Sequence, residues 1–287
     1  MVAPSEQEIA TIVTKLNITD QLIRYPLDIA ERPHIDDDDD QVLIIVDVPM
    51  QEIKNGERIY TTMPLGMLMV RDDIFITISQ IEVESINLVL RNTRRNMVFT
   101  EKKSRLIIQI LYNVAKDYIK HMTAIIKSIE QFEKHMAGQM TNQELMFLLD
   151  FEKSMIYFNT SIKANQIVLQ KINRGKTIKL YEEDEEILED TLIENTQAIE
   201  MIQTYSEILN GIIDIFGTIT SNNVNIVMKF LTSITLIITI PTMIASFLGM
   251  NVEFPFLTNT YGFYGVLGAA VVITTLVTIW LKKKDLL

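Results

Sequence analysis

The chain has no cysteine, and only three histidines (His34, His121 and His135) and one tryptophan occur among its 287 residues. Missing thiols exclude disulfides and thiolate metal sites, and fit a soluble part held in a reducing compartment. So few histidines exclude a histidine-rich cage for a transition metal. His121 and His135 fall on a polar helical stretch and are expected at the surface. Positive charge is also short: 26 Lys and Arg stand against 37 Asp and Glu, a formal net charge of −11. That balance speaks against nucleic acid as a partner and suits attraction of cations. No phosphate-binding loop and no nucleophile–base pair is visible, so neither an enzyme nor an organic cofactor is expected. Residues 1–20 lack a continuous apolar core and carry Glu6, Glu8, Lys15 and Asp20, so no signal peptide is read there.

What the chain does have is uncharged apolar sequence towards its end, in two runs at 230–250 and 261–281. Each matches a bilayer-crossing helix of roughly 20 residues at about 1.5 Å per residue. Lys229 precedes the first run and Lys282, Lys283 and Lys284 follow the second, while the link 251–260 has no Lys or Arg. Basic flanks stay inside. The expectation is therefore a two-span, multi-pass protein of the cell's inner (plasma) membrane, with both termini cytoplasmic and the lipid bilayer as a partner.

Ahead of the spans the character is mixed. Residues 5–16 read as a short helix. Segments 42–46, 58–70 and 74–78 are rich in β-branched residues and read as strands, with Asp72-Asp73 as a turn. The five acids Asp36–Asp40 are expected to form a solvated loop. From 104 onward the pattern is helical. One helix covers 104–136 with Gly138 as a stop, and a second opens at the capping-box spacing Thr141–Glu144 and closes at Arg174-Gly175. These two resemble an antiparallel hairpin. A third helix runs from Glu182 to Met250, roughly 100 Å at helical rise. The fold class is thus an α+β membrane protein. It divides into a cytoplasmic α/β domain (1–103), a cytoplasmic helical hairpin and stalk (104–224), and a two-helix membrane region (225–287).

The first span carries a polar stripe. Steps alternating between three and four visit Gly211, Asp214, Thr218, Ser221, Asn225, Met228, Thr232, Thr235, Thr239, Thr242, Ser246 and Gly249. That 3.5-residue period puts them on one side of a helix in a left-handed bundle. Small hydroxyl residues commonly let membrane helices pack closely. The alternative is a face turned to a water-filled axis. The second span has its own small residues for packing in Gly262, Gly265 and Gly268. One hairpin cannot enclose a pore, so several copies around an axis are required. Such a pore would offer the Asn251 amide and hydroxyl oxygens, hard neutral ligands that suit Mg²⁺ held through its hydration shell. Glu253, the only charge in the link, would make an acidic ring at the outer mouth. The membrane potential would supply about 2.3 kcal/mol per charge per 100 mV, and twice that for a divalent ion. A membrane-anchored helical signalling or scaffold protein is the reading from another class.

Gly249-Met250-Asn251 ends one span just ahead of a short acidic link and a second span. With it go Asn225, Val227-Met228-Lys229 and Leu231-Thr232 at the inner end, Glu31-Arg32-Pro33 near the N-terminus, and the Lys282–Lys284 tail. On these residues the chain resembles the CorA family of divalent-cation channels and transporters, over essentially its whole length. The resemblance implies a homopentameric funnel whose long stalk helices line the pore and whose second spans form an outer ring. It implies that Gly249, Met250 and Asn251 form the selectivity filter, with Asn251 holding a hydrated Mg²⁺. Asp214, Asn225 and Thr242 match polar pore positions, and Met228 and Leu231 match an apolar constriction. It also implies regulatory Mg²⁺ sites between cytoplasmic domains, where Asp190 falls at an acidic position. The partner acid of some members lands here on Tyr25, with Asp28 a nearby alternative. Some members have a bulky residue where Thr239 sits. The zinc-transporting branch commonly has Val in place of Met250, so Mg²⁺ is favoured over Zn²⁺. Cobalt and nickel ions also pass family members. The implied function is Mg²⁺ influx driven by the membrane potential and gated by cytoplasmic Mg²⁺.

Overall fold

The computed structural model describes residues 1–38, 40–54, 57–71, 73–94, 102–135, 142–175, 178–250, 260–284 and 286. It forms two compact units, Met1–Ile213 and Asp214–Leu287.

In the first unit, helix α1 (Glu6–Leu16) starts at a capping box in which Ser5 and Glu8 satisfy each other's backbone donors. Helix α2 (Asp20–Arg24) and a 3-10 turn (Tyr25–Leu27) follow. Four strands then build an antiparallel sheet in sequence order: β1 (His34–Asp38), β2 (Gln41–Lys54), β3 (Glu57–Val70) and β4 (Ile74–Ser79). The three strands read from β-branched runs correspond to β2, β3 and β4. The first three acids of the run are strand, not loop: Asp36, Asp37 and Asp38 pair with Leu43, Val42 and Gln41 at the sheet's edge, Asp40 lies in the turn that follows, and Asp39 lies outside the described residues. Edge pairing needs only backbone groups, and charged side chains on an edge discourage a further strand from adding there.

Leu43, Ile44, Ile45 and Val46 in β2 are all fully buried, as a strand covered on both faces requires. Ile9, Ile18, Leu22 and Ile23 pack with Leu43, Ile45 and Leu68 in one cluster. Helices α4 (Lys103–His135) and α5 (Asn142–Asn173) also pack on β2 and β3, and α3 (Glu84–Arg94) packs on α4. The α5 C-terminus ends at Gly175, whose φ of +70° suits a residue without Cβ. The expected stop at Gly138 and the capping box at Thr141 lie outside the described residues.

Beyond Ile45, where β1 ends opposite β2, the open edge of β2 still needs partners. The Asn165 amide supplies them: its Oδ1 accepts from Asp47 N–H (2.9 Å) and its Nδ2 donates to the Asp47 carbonyl (2.8 Å). Tyr118 Oη donates to the same carbonyl at 3.2 Å. Burial raises the Asp47 carboxyl above the usual range, opposed by a hydrogen bond with Ser161. His121 is not a surface residue. It lies half-buried, edge-on to Tyr60 (ring centroids 5.6 Å apart) and beside Phe158 (6.5 Å), and burial lowers its pKa. The side chain of His135 lies outside the described residues.

Helix α6 (Glu182–Leu248) is continuous over 67 residues. Its first part belongs to this unit and buries Asp184, Leu188, Thr191, Asn195, Ala198, Ile202, Leu209 and Ile212, a seam stepping by three and four apart from one step of seven across the half-covered Tyr205. Arg105 Nε anchors its first turn through Asp184 Oδ1 at 2.7 Å, and also pairs with Glu183. Asn195 Nδ2 bonds Gln166 Oε1 of α5 at 2.5 Å.

Candidate pore face and inner cavity

The second unit is a hairpin of α6 from Asp214 onward and α7 (Thr260–Lys283). Both helices are long and apolar enough to cross a bilayer, and only 6% of each apolar window is buried, unlike a core helix of a globular domain. Aromatic side chains stand exposed at both ends of α7, Tyr261, Phe263 and Tyr264 at one end and Trp280 at the other. That is the placement of interfacial belts.

The two helices choose their faces clearly. Ser233 is 1% exposed, and Ile234, Ile237, Ile240, Ile244 and Leu248 are the partly covered positions that follow it on α6. On α7 the covered positions are Gly262, Val266, Ala270, Thr274, Val277, Thr278 and Leu281. Gly265 and Gly268 do not join this contact, because both are exposed and a Cβ on either would meet nothing within 4 Å. They lie on the other side of α7 because its covered positions repeat every three to four residues from Gly262.

The polar stripe occupies the opposite side of α6. Thr235, Thr239, Thr242 and Ser246 each lie two residues beyond a covered position, about 200° around the axis, and all four are exposed. Contact with α7 therefore leaves the stripe unused. Thr232, Thr235, Thr239 and Thr242 each donate their hydroxyl hydrogen to the carbonyl four residues earlier, at 2.7–2.8 Å. Their oxygens keep lone pairs free to accept. Met228 and Leu231 are also exposed, as are Asp214, Asn225 and Thr232. Pro241 sits within the span and gives no N–H to the Ile237 carbonyl.

The same stepping, continued towards the N-terminus, reaches Glu207, Thr204, Glu200, Gln197, Ile193 and Asp190, all exposed. Glu200 and Glu207 were not singled out from the sequence, although the three-four rhythm that found the stripe also contains them. Helix α6 ends at Leu248, and Gly249 N–H bonds back to the Ala245 carbonyl at 3.0 Å. Gly249 and Met250 are exposed, while Asn251 and Glu253 lie outside the described residues.

Asp190 is exposed and helps raise the Lys116 pKa, behind the larger effect of Tyr112. Asp28 is exposed, and its Oδ1 accepts from Ala30 N–H at 2.9 Å. Among the described residues no three metal-ligating side chains of one chain gather together. At the inner end of the hairpin a cavity of about 350 Å³ is lined by Asn222, Asn225, Met228, Lys229, Thr232, Ser233, Leu236, Leu281 and Leu286.

A family model described as a CorA-like Mg²⁺ transporter protein matches residues 1–283. The cobalt/magnesium transport protein CorA of Methanocaldococcus jannaschii is 28% identical over 274 residues, which is 94% of this chain and 84% of that protein. The complete structure of the CorA magnesium transporter from the same organism superposes with a TM-score of 0.86 at 27% identity, covering 98% of this chain and 88% of that one. The full-length CmaX protein shares the fold, with a TM-score of 0.71 at 14% identity over 98% of this chain and 85% of that one.

Proposed function

The chain belongs to the CorA-like Mg²⁺ transporter family, and from that premise we propose that it is a homopentameric, channel-like pathway for Mg²⁺ influx. At the coarser level it is a membrane transporter of divalent cations and not an enzyme. The single observation that carries the finer reading is the stripe of hydroxyl oxygens on α6, exposed and turned away from α7. Five copies facing one axis would turn that stripe into stacked rings of neutral acceptors. A hydrated Mg²⁺ surrenders its waters reluctantly, so such rings would bind the water shell rather than the bare ion.

In this reading Glu253 concentrates cations at the outer mouth, and Gly249, Met250 and Asn251 form the filter. Thr242, Thr239, Thr235 and Ser246 line the passage, and Met228 and Leu231 narrow it near the inner face, beside Thr232 and Asn225. Asp214, Glu207 and Glu200 receive the ion on the cytoplasmic side. The membrane potential drives entry, at about 2.3 kcal/mol per charge per 100 mV. Cytoplasmic Mg²⁺ closes the path at a site that includes Asp190, with Asp28 as its candidate partner. Co²⁺ and Ni²⁺ share the path, and Zn²⁺ is the competing cargo. The protein resides in the inner (plasma) membrane with both termini cytoplasmic.

The test is Mg²⁺ flux into proteoliposomes. Asn251→Ala is expected to abolish selective flux while the assembly keeps its size on a sizing column. Undiminished Mg²⁺-selective flux in that variant would rule out the filter.

A further inference from the structure

A second cavity, of about 470 Å³, lies in the first unit where β1 no longer covers β2. Pro49 and Gln51 line it from β2, Val83 and Glu84 from the start of α3, and Asp117 and His121 from α4. Asp117 and His121 stand four residues apart on α4, so one face of that helix sets a carboxylate beside an imidazole.

Asp117 is 7% exposed, and its Oδ2 accepts from the Ser85 hydroxyl. Burial raises its pKa, as expected of a carboxyl whose charge is poorly compensated. Lys120 is the cation near it, but its ammonium is engaged by Glu84 at 3.1 Å. His121 is half-buried against Tyr60 and Phe158, and among the described residues no hydrogen bond holds either ring nitrogen. Burial lowers its pKa, which keeps the ring neutral and a nitrogen lone pair available at neutral pH. Neither a hydrogen bond nor an ion pair joins Asp117 to His121. The two side chains therefore share a cavity without closing it.

The donor types sort the ligands. Two metal-binding side chains at i and i+4 on one helix face form a two-armed chelate. Mg²⁺ takes oxygen ligands and gains nothing from an imidazole, whereas Co²⁺, Ni²⁺ and Zn²⁺ bind it. Among the described residues no third metal-ligating side chain joins the pair, so water fills the other positions. A cavity of this size has room for that water, at about 30 Å³ a molecule.

We propose that Asp117 and His121 chelate a divalent transition metal of the Co²⁺, Ni²⁺ and Zn²⁺ class, at a site in the first unit that discriminates against Mg²⁺. Ser85 holds one carboxylate oxygen and leaves Oδ1 for the metal, and His121 gives a ring nitrogen. Binding is read without transport, so its outcome is separate from that of the flux test.

The experiment uses the full chain, purified without a histidine tag and kept in excess Mg²⁺ to fill oxygen-only sites. One equivalent of Ni²⁺ is added, and X-ray absorption fine structure at the nickel edge reports whether an imidazole is bound. The chain has three histidines, so the assignment is direct. The imidazole signature is expected in the wild type and in the double variant His34→Gln with His135→Gln, where His121 alone remains. It is expected to be lost in His121→Gln. Asp117→Asn keeps an acceptor for Ser85 and is expected to weaken Ni²⁺ about tenfold by calorimetric titration. The double variant leaves the site untouched, so the question stays decidable if His121→Gln fails to fold. No imidazole signature in the double variant would overturn the inference, as would its persistence in His121→Gln. Unchanged affinity in Asp117→Asn would overturn the chelate, and displacement of Ni²⁺ by the excess Mg²⁺ would point to an oxygen-only site instead.

Discussion

Asp47 is a buried carboxyl held by a hydrogen bond with Ser161, and burial raises its pKa. The folded state therefore holds the proton more tightly than the unfolded chain does. Stability contributed by this group is greatest at low pH and falls as pH rises from the ordinary carboxylate value through the raised one. Asp47→Asn is expected to raise the thermal midpoint at pH 7–8 by about 2–4 °C, the shift that roughly 1 kcal/mol produces in a domain of this size. The gain should shrink towards pH 4, and calorimetry at the two pH values checks it. Gly66 makes the opposite kind of demand. A Cβ there would collide with Pro26 Cγ and sit 2.7 Å from Pro26 Cβ, so the 3-10 turn packs on β3 only because position 66 has no side chain. Gly66→Ala is expected to cost about 1–3 kcal/mol, seen as a lowered denaturation midpoint of the soluble part.

Among the elements, α6 carries two 3.5-residue patterns on different sides: a buried seam from Asp184 to Ile212 and an exposed stripe through the span. A packing stripe should tolerate loss of its hydroxyls, and a conducting one should not. Thr235→Val with Thr239→Val keeps side-chain shape and removes two acceptor oxygens. The pair is expected to cut Mg²⁺ flux about tenfold, the effect of losing roughly 1–1.5 kcal/mol of hydrogen bonding to the ion's waters. Unchanged flux would favour the anchor reading. Much of this was legible beforehand, because periodicity reports a helix face directly: α1, α4, α5, the length of α6 and three strands could be read from local pattern. Misreadings came where long-range contact decides. Asp36–Asp38 look like a loop until Leu43 and Val42 offer them an edge. His121 looks solvated until Tyr60, 61 positions earlier, arrives over it. Of Gly262, Gly265 and Gly268, the register of α7 against α6 within one chain uses Gly262 alone. The short α2 and the 3-10 turn give too few turns for a period to show, while α3, as long as α1, was passed over.

For the molecule as a whole, the proposed channel-like path would take its direction from the membrane potential. Collapsing the inside-negative potential with an ionophore should reduce Mg²⁺ entry into liposomes by roughly tenfold or more, since about 4.6 kcal/mol acts on a divalent ion at 100 mV. An entry rate indifferent to potential would contradict a channel-like path. One detail of α6 governs what else such a path admits. Each stripe threonine has turned its hydrogen inward to its own backbone. If the stripe faces the proposed axis, what it would show there can welcome the hydrogens of water around a cation, but has nothing to give to chloride or phosphate. Such a wall would reject anions without bearing any charge of its own, and a wall without charge would hold no magnesium ion so tightly that it could not leave.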